Sequence, residues 1–161
     1  MTTTTGASPQ FSRTTPLYRA FRFSLAFPEG WADKTLFTLA GPVTDGIQHN
    51  ITVAVDEEAG NQSLRDYADW SILALEEELK GCRVLKEEEV KLANGLPAYR
   101  VIFSWWPSDE LRVYQEQVLV LAGSRGYRLT ATFSKKTRKT VGPEVERMMF
   151  SFTPNAEGER H

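Results

Sequence analysis

A chain of 161 residues, 41% hydrophobic and 25% charged, is long enough and apolar enough to fold around one sizeable core. A net charge of −2 argues against a nucleic-acid binder, and a single cysteine excludes an internal disulfide. No apolar stretch approaches the roughly 20 residues that cross a bilayer, and no basic segment leads into an apolar run. The expectation is a soluble, cytoplasmic protein without stable membrane insertion.

Residues 1–16 are Thr-rich and aperiodic, which predicts a flexible segment, and residues 155–161 read the same way. One domain is expected over 17–154. Its first strand runs from Arg19 to Phe27, with Phe21, Phe23, Leu25 and Phe27 on one face, and Pro28-Glu29-Gly30 ends it in a turn. Strands at about Lys34 to Ala40 and His49 to Val55 follow, with Gly41-Pro42 and Asp45-Gly46 breaking the chain between them. A helix is predicted over about 64–80. Ser63 and Asp66 supply its capping signal, Leu64, Ala68, Ile72, Leu75 and Leu79 its apolar stripe, and Gly81 its stop.

A meander comes next. Arg83 to Leu92 meets Ala98 to Trp106 across Asn94-Gly95, and strands at Leu111 to Leu121 and Tyr127 to Ser134 follow. A last helix is predicted over about 143–152, with Pro143 at its start and Val145, Met148, Met149 and Phe152 on its apolar side. Segregated strands and helices predict an α+β fold. The expected form is a twisted, largely antiparallel sheet of about six or seven strands with two helices on one face. Leu64, Leu75 and Leu79 are expected to pack on Ile51, Val53 and Val55, leaving the other face for solvent, a partner subunit or a ligand.

That second face is unusual. In a strand, successive side chains point to opposite sides. Asn50, Thr52 and Ala54 therefore oppose Ile51, Val53 and Val55, and Leu36 and Thr38 oppose Phe37 and Leu39. Arg128, Thr130 and Thr132 oppose Tyr127, Leu129, Ala131 and Phe133 in the same way. The face is small and polar rather than a row of Lys and Glu.

Reactive chemistry is sparse. His49 starts a strand without a Cys or Ser partner in a recognisable motif, and Cys82 has no nearby base, so both read as structural. Glu87, Glu88 and Glu89 alternate across a strand and cannot converge on a metal, while Glu76, Glu77 and Glu78 fan around an exposed helix side. Lys135, Lys136, Arg138 and Lys139 read as a solvated loop. No catalytic, cofactor-binding or metal site is expected, and no cofactor. Trp105 and Trp106 face opposite ways at a strand end. Trp106 is either a partner anchor or covered by its own loop.

Several segments together resemble the DcrB-like family, whose fold is PsbP-like. They are Phe27-Pro28-Glu29-Gly30-Trp31, the strand pair Lys34 to Ala40 and His49 to Val55, and the helix opening Ser63-Leu64-Arg65-Asp66-Tyr67. Asn94-Gly95-Leu96-Pro97-Ala98-Tyr99 leading to Phe103-Ser104-Trp105 is another. The last is Arg112 to Leu121, containing Gln117-Val118, with the ending Phe150-Ser151-Phe152-Thr153-Pro154. The resemblance covers about residues 17–154. Within that family the chain looks most like the Eag chaperones of type VI secretion, which are cytosolic and usually homodimeric. The resemblance implies a chaperone or adaptor that shields the N-terminal transmembrane region of a secreted effector before export. It implies a client groove at Leu36, Thr38, Asn50, Thr52 and Ala54, to which Trp106 is added. The alternative on the same fold is a non-catalytic PsbP-like scaffold for protein binding. An enzyme ranks third, because no paired acid and base, metal spacing or phosphate loop is visible.

Overall fold

The computed structural model describes residues 17–19 and 23–155. The flexible segments expected at 1–16 and 155–161 lie outside these residues, apart from Asn155. The described residues before Thr35 belong to one unit, and Thr35–Pro154 form the other. In the first, β1 (Leu17–Arg19) pairs antiparallel with β2 (Ser24–Ala26), Leu17 opposite Ala26. This corrects the single strand expected from Arg19 to Phe27. Folding back lets the two short segments satisfy each other's backbone groups.

The second unit is built on one six-stranded sheet. Its strands are β3 (Leu36–Thr44), β4 (Ile47–Asp56), β5 (Arg83–Lys91), β6 (Pro97–Ser108), β7 (Leu111–Ala122) and β8 (Arg125–Phe133). They run antiparallel in the order β3-β4-β8-β7-β6-β5. Three α-helices and one turn of 3-10 helix (Ala59–Asn61) complete it: α1 (Leu64–Glu78), the short α2 (Thr137–Thr140) and α3 (Gly142–Phe150). The architecture is the α+β, antiparallel one that the alternation predicts. α2 is an addition, formed from the basic segment expected to be loop.

Local chemistry explains the boundaries. Asp45 and Gly46 both take positive φ, 56° and 74°, as a two-residue turn matching the twist of β3 and β4 requires. Gly41-Pro42 does not break β3. It sits where the register shifts between Ala40 and Val43, and a bulge accommodates a proline that has no N–H to donate. The Ser63 side chain accepts from the Asp66 backbone N–H at 3.0 Å and caps α1, and Gly81 turns the chain away at a φ of 62°.

The two main helices lie on opposite faces, which corrects the expectation of two helices on one face. Tyr67, Ala68 and Ile72 of α1 are buried with Tyr99, Val101, Phe103 and Leu119, and Leu64, Leu75 and Leu79 pack against this cluster. Val145 and Met149 of α3 are buried with Ile51, Val118, Leu129 and Ala131. Tyr99 pairs with Leu119, and the neighbouring Val118 pairs with Leu129, so the two clusters sit on alternate sides of the pleat. Hence Leu64, Leu75 and Leu79 do not meet Ile51, Val53 and Val55. β6 and β7 carry buried apolar residues on both sides, Val101, Phe103 and Leu119 on one and Ala98, Val118 and Val120 on the other, and each face needs its own cover.

On the α3 side, the sheet and helix share one half-buried charge cluster centred on the buried Glu116. Arg100 donates to Glu116 at 2.9 Å and Glu88 at 2.7 Å, and it pairs with Glu146 of α3. Burial pushes the Glu116 carboxyl up to about 7 against the opposing Arg100 guanidinium, and Glu146 adds to the rise. The folded chain therefore holds this proton more tightly than the unfolded chain, where a glutamate titrates near about 4.3. The stabilisation is complete below that value and is lost as pH rises to about 7. Urea midpoints should fall between about pH 5 and about pH 7.5, and Glu116→Gln should flatten that fall. An unchanged slope in the variant would place the titration elsewhere.

Candidate functional site

α1 covers only part of its face. It packs on β6 and β7, Tyr67 and Ala59 cover β8 at Gly126, and among the described residues the rest of the same side of β8, β4 and β3 lies half-buried to exposed. Strand register assembles the open floor in rows. One row runs Leu36, Ala54, Arg128, ending at Leu119 beneath the helix. The next runs Thr38, Thr52, Thr130, Gln117. Asn50 and Thr132 continue the face beyond it. Three strands without a helix over them among the described residues, spaced about 4.8 Å apart, offer a floor about 10–14 Å wide, which matches the 10–12 Å diameter of one helix with side chains.

The floor is hydrogen-bonded from below the helix outward. Ser71 of α1 donates to Gln117 at 3.0 Å, and Gln117 donates to Thr130 at 3.2 Å. Trp105 donates to Gln115 at 2.7 Å, and Gln115 donates to Thr132 at 2.9 Å. The glutamines are thus fixed, with their dipoles satisfied. The Thr and Ala side chains beyond them are short, so a ligand backbone can approach closely.

One wall is α1 itself, held by Tyr67. An added Cβ at Gly126 would lie 2.5 Å from the Tyr67 ring, so the ring rests directly on the β8 backbone. Its hydroxyl donates to Asp56 at 2.5 Å, and Asp56 accepts from Arg128 at 2.8 Å. Burial, reinforced by the bond to Asp56, pushes the Tyr67 hydroxyl well above its ordinary range. Arg128 also lies 5.8 Å from the ring centre of Trp70, which stacks on Tyr67 and is 50% exposed. An amphipathic rim therefore borders a floor that is small and polar inward and apolar at the edge, where Leu36 is 56% exposed.

Of the residues singled out in the sequence, the structure brings Leu36, Thr38, Asn50, Thr52 and Ala54 to one face. It does not bring Trp106 to them. Trp106 is on β6, with Arg112 5.7 Å from its ring, and Arg112 donates to Ser104 on the opposite face. Sequence reasoning missed Trp70, Arg128, Thr130 and Gln117 as companions. The polar alternation of β8 was readable, but its place beside β4 was not. His49 is buried against Phe133, with Nδ1 3.3 Å from the Thr132 carbonyl oxygen. Cys82 is half-buried, and burial pushes its thiol up, away from thiolate chemistry. Among the described residues no group of His, Cys, Asp and Glu could hold a metal ion, and no helix is long and apolar enough to cross a membrane.

Comparison with known proteins bears on the fold. The model of the family described as DcrB matches residues 23–151. No curated protein matches. The solved structure of PA94, a protein of unknown function from Pseudomonas aeruginosa, superposes with a TM-score of 0.71 at 18% identity, covering 88% of this chain and 97% of that one. Cyanobacterial PsbP from Synechocystis superposes with a TM-score of 0.54 at 11% identity, covering 96% and 99%. The fold is PsbP-like.

Gly126→Ala should lower stability by about 1–3 kcal/mol through overpacking against Tyr67, and Tyr67→Phe by about 1–3 kcal/mol, since Asp56 loses a buried donor. Urea unfolding checks both. Wild-type midpoints would contradict the account of this wall.

Proposed function

The chain belongs to the DcrB family, and from that premise we propose that it is a non-enzymatic protein-binding module that holds an apolar helix in the groove beside α1. In its finer form, the proposal is a cytoplasmic chaperone for the N-terminal transmembrane region of a type VI secretion effector. The observation that carries it is the half-covered sheet face. It is one helix wide, small in its side chains, polar toward α1 and apolar at Leu36 and Trp70. A transmembrane segment in water exposes apolar surface that would otherwise aggregate. Thr and Asn side chains on the floor meet the polar groups that such a segment would satisfy within its own bundle.

The proposal includes a homodimer joined along β3. All nine residues of this edge strand are exposed and none is charged. Leu36, Phe37, Leu39 and Val43 put apolar surface on it. The other edge, β5, carries Arg83, Lys86, Glu87, Glu88, Glu89 and Lys91, the charges that usually guard an edge.

A pull-down with a transmembrane peptide of about 20 residues tests the groove. Leu36→Asp and Ala54→Asp should abolish capture while circular dichroism stays native, because each would bury a carboxylate under the client, and Arg128, across from Ala54, is already held by Asp56. Full capture by both folded variants would sink the reading. Light scattering tests the edge. The wild type should have twice the chain mass and Val43→Lys the single mass, and a monomeric wild type at high micromolar concentration would remove the dimer.

A further inference from the structure

The sheet face opposite the groove carries a second concavity. The α2–α3 junction borders a solvent-open cleft of about 630 Å³ over β5, β6 and β7. This is within the range of about 300–1,000 Å³ typical of small-molecule sites. Leu85, Ile102, Phe133 and Pro143 form its apolar wall.

Its charged lining is unevenly matched. Arg100, Glu116 and Glu146 line it but are already bonded to one another, and Glu88 just behind them accepts from Arg100 at 2.7 Å. Among the described residues Lys86 pairs with Glu88 alone, at 3.6 Å, and Arg100 holds that carboxylate more closely. Arg138 also lines the cavity, and among the described residues its guanidinium pairs with no carboxylate. It lies 5.1 Å from the ring centre of Tyr114, whose other neighbour is Arg112 at 5.5 Å. The carboxyl groups are satisfied, then, and a planar guanidinium is left with its fork of donors free beside an apolar wall.

We propose that this cavity binds a small organic carboxylate with an apolar body, the carboxylate on Arg138 with Lys86 in support and the body against Ile102, Phe133 and Pro143. A guanidinium takes a carboxylate through two parallel N–H donors. A cationic ligand would have to displace Arg100 from carboxylates it already holds. Inorganic phosphate would leave the apolar wall uncovered and would set a second negative charge near Glu146.

Calorimetry with octanoate on the full chain tests this, with octan-1-ol, octylammonium and inorganic phosphate as comparators. Octanoate should bind, and each comparator should bind at least about tenfold more weakly. Arg138→Gln should weaken octanoate about tenfold or more while leaving octan-1-ol unchanged, and Lys86→Gln, on the exposed edge strand, should weaken it by a smaller factor. Saturating the groove with a transmembrane peptide should leave octanoate affinity unchanged, which separates this site from the groove. The proposal is overturned if octanoate does not bind, if octan-1-ol or phosphate matches it, or if its affinity is the same in Arg138→Gln and Lys86→Gln.

Discussion

The seating of Tyr67 on Gly126 is the contact on which the arrangement of this sheet depends. The ring has no room to move toward β8, because even a methyl group at Gly126 would collide with it. Its hydroxyl is tied to Asp56, and Asp56 to Arg128, so one side chain joins α1 to β4 and β8. These bonds set how far α1 extends across its face. The body of α1 rests on β6 and β7, Tyr67 reaches β8 at Gly126, and among the described residues the rest of β8, β4 and β3 on this side is uncovered by a helix.

That partial cover makes the composition of the open floor intelligible. A sheet face under a helix is filled with Tyr99, Val101, Phe103 and Leu119, large groups that exclude water. The part of the same face beyond the helix carries threonines, an alanine and an asparagine, with Leu36 at its edge and Arg128 held by Asp56, and its short side chains tolerate water when the groove is empty and close contact when it is filled. The other side of β4 and β8 is committed to the α3 core through Ile51, Leu129 and Ala131, while Phe37 and Leu39 of β3 stay exposed there. The sheet thus uses its two faces differently in its two halves, and α1 and α3 are offset across it instead of stacked on one side.

Much of this was legible in the chain itself. Alternation in Ile51, Val53 and Val55 and in Tyr127, Leu129, Ala131 and Phe133 identified strands and their apolar faces, because side-chain period is a local property. The Ser63 cap and the Asn94-Gly95 turn were local too. The sheet order was not, since β4 lies beside β8 and the helix and three strands separate them in sequence. Without that order, Leu64, Leu75 and Leu79 were matched to the apolar side of the nearest preceding strand instead of to Val101 and Phe103. The same gap hid Thr130 and Gln117, which complete a row begun by Thr38 and Thr52, and drew in Trp106, whose side chain belongs with Arg112. Trp70 left a readable signal, a large aromatic residue off the helix's buried stripe.

The central claim is that one particular side of β3, β4 and β8 receives an apolar helix. Thr38 and Phe37 are adjacent and exposed on β3, and they point to opposite faces. A photo-crosslinking side chain placed at each in turn reads the two faces from almost the same point of the backbone. With a transmembrane peptide present, the account predicts a crosslinked product from position 38 and none from position 37. A product from position 37 alone, or equal yields from both, would contradict it.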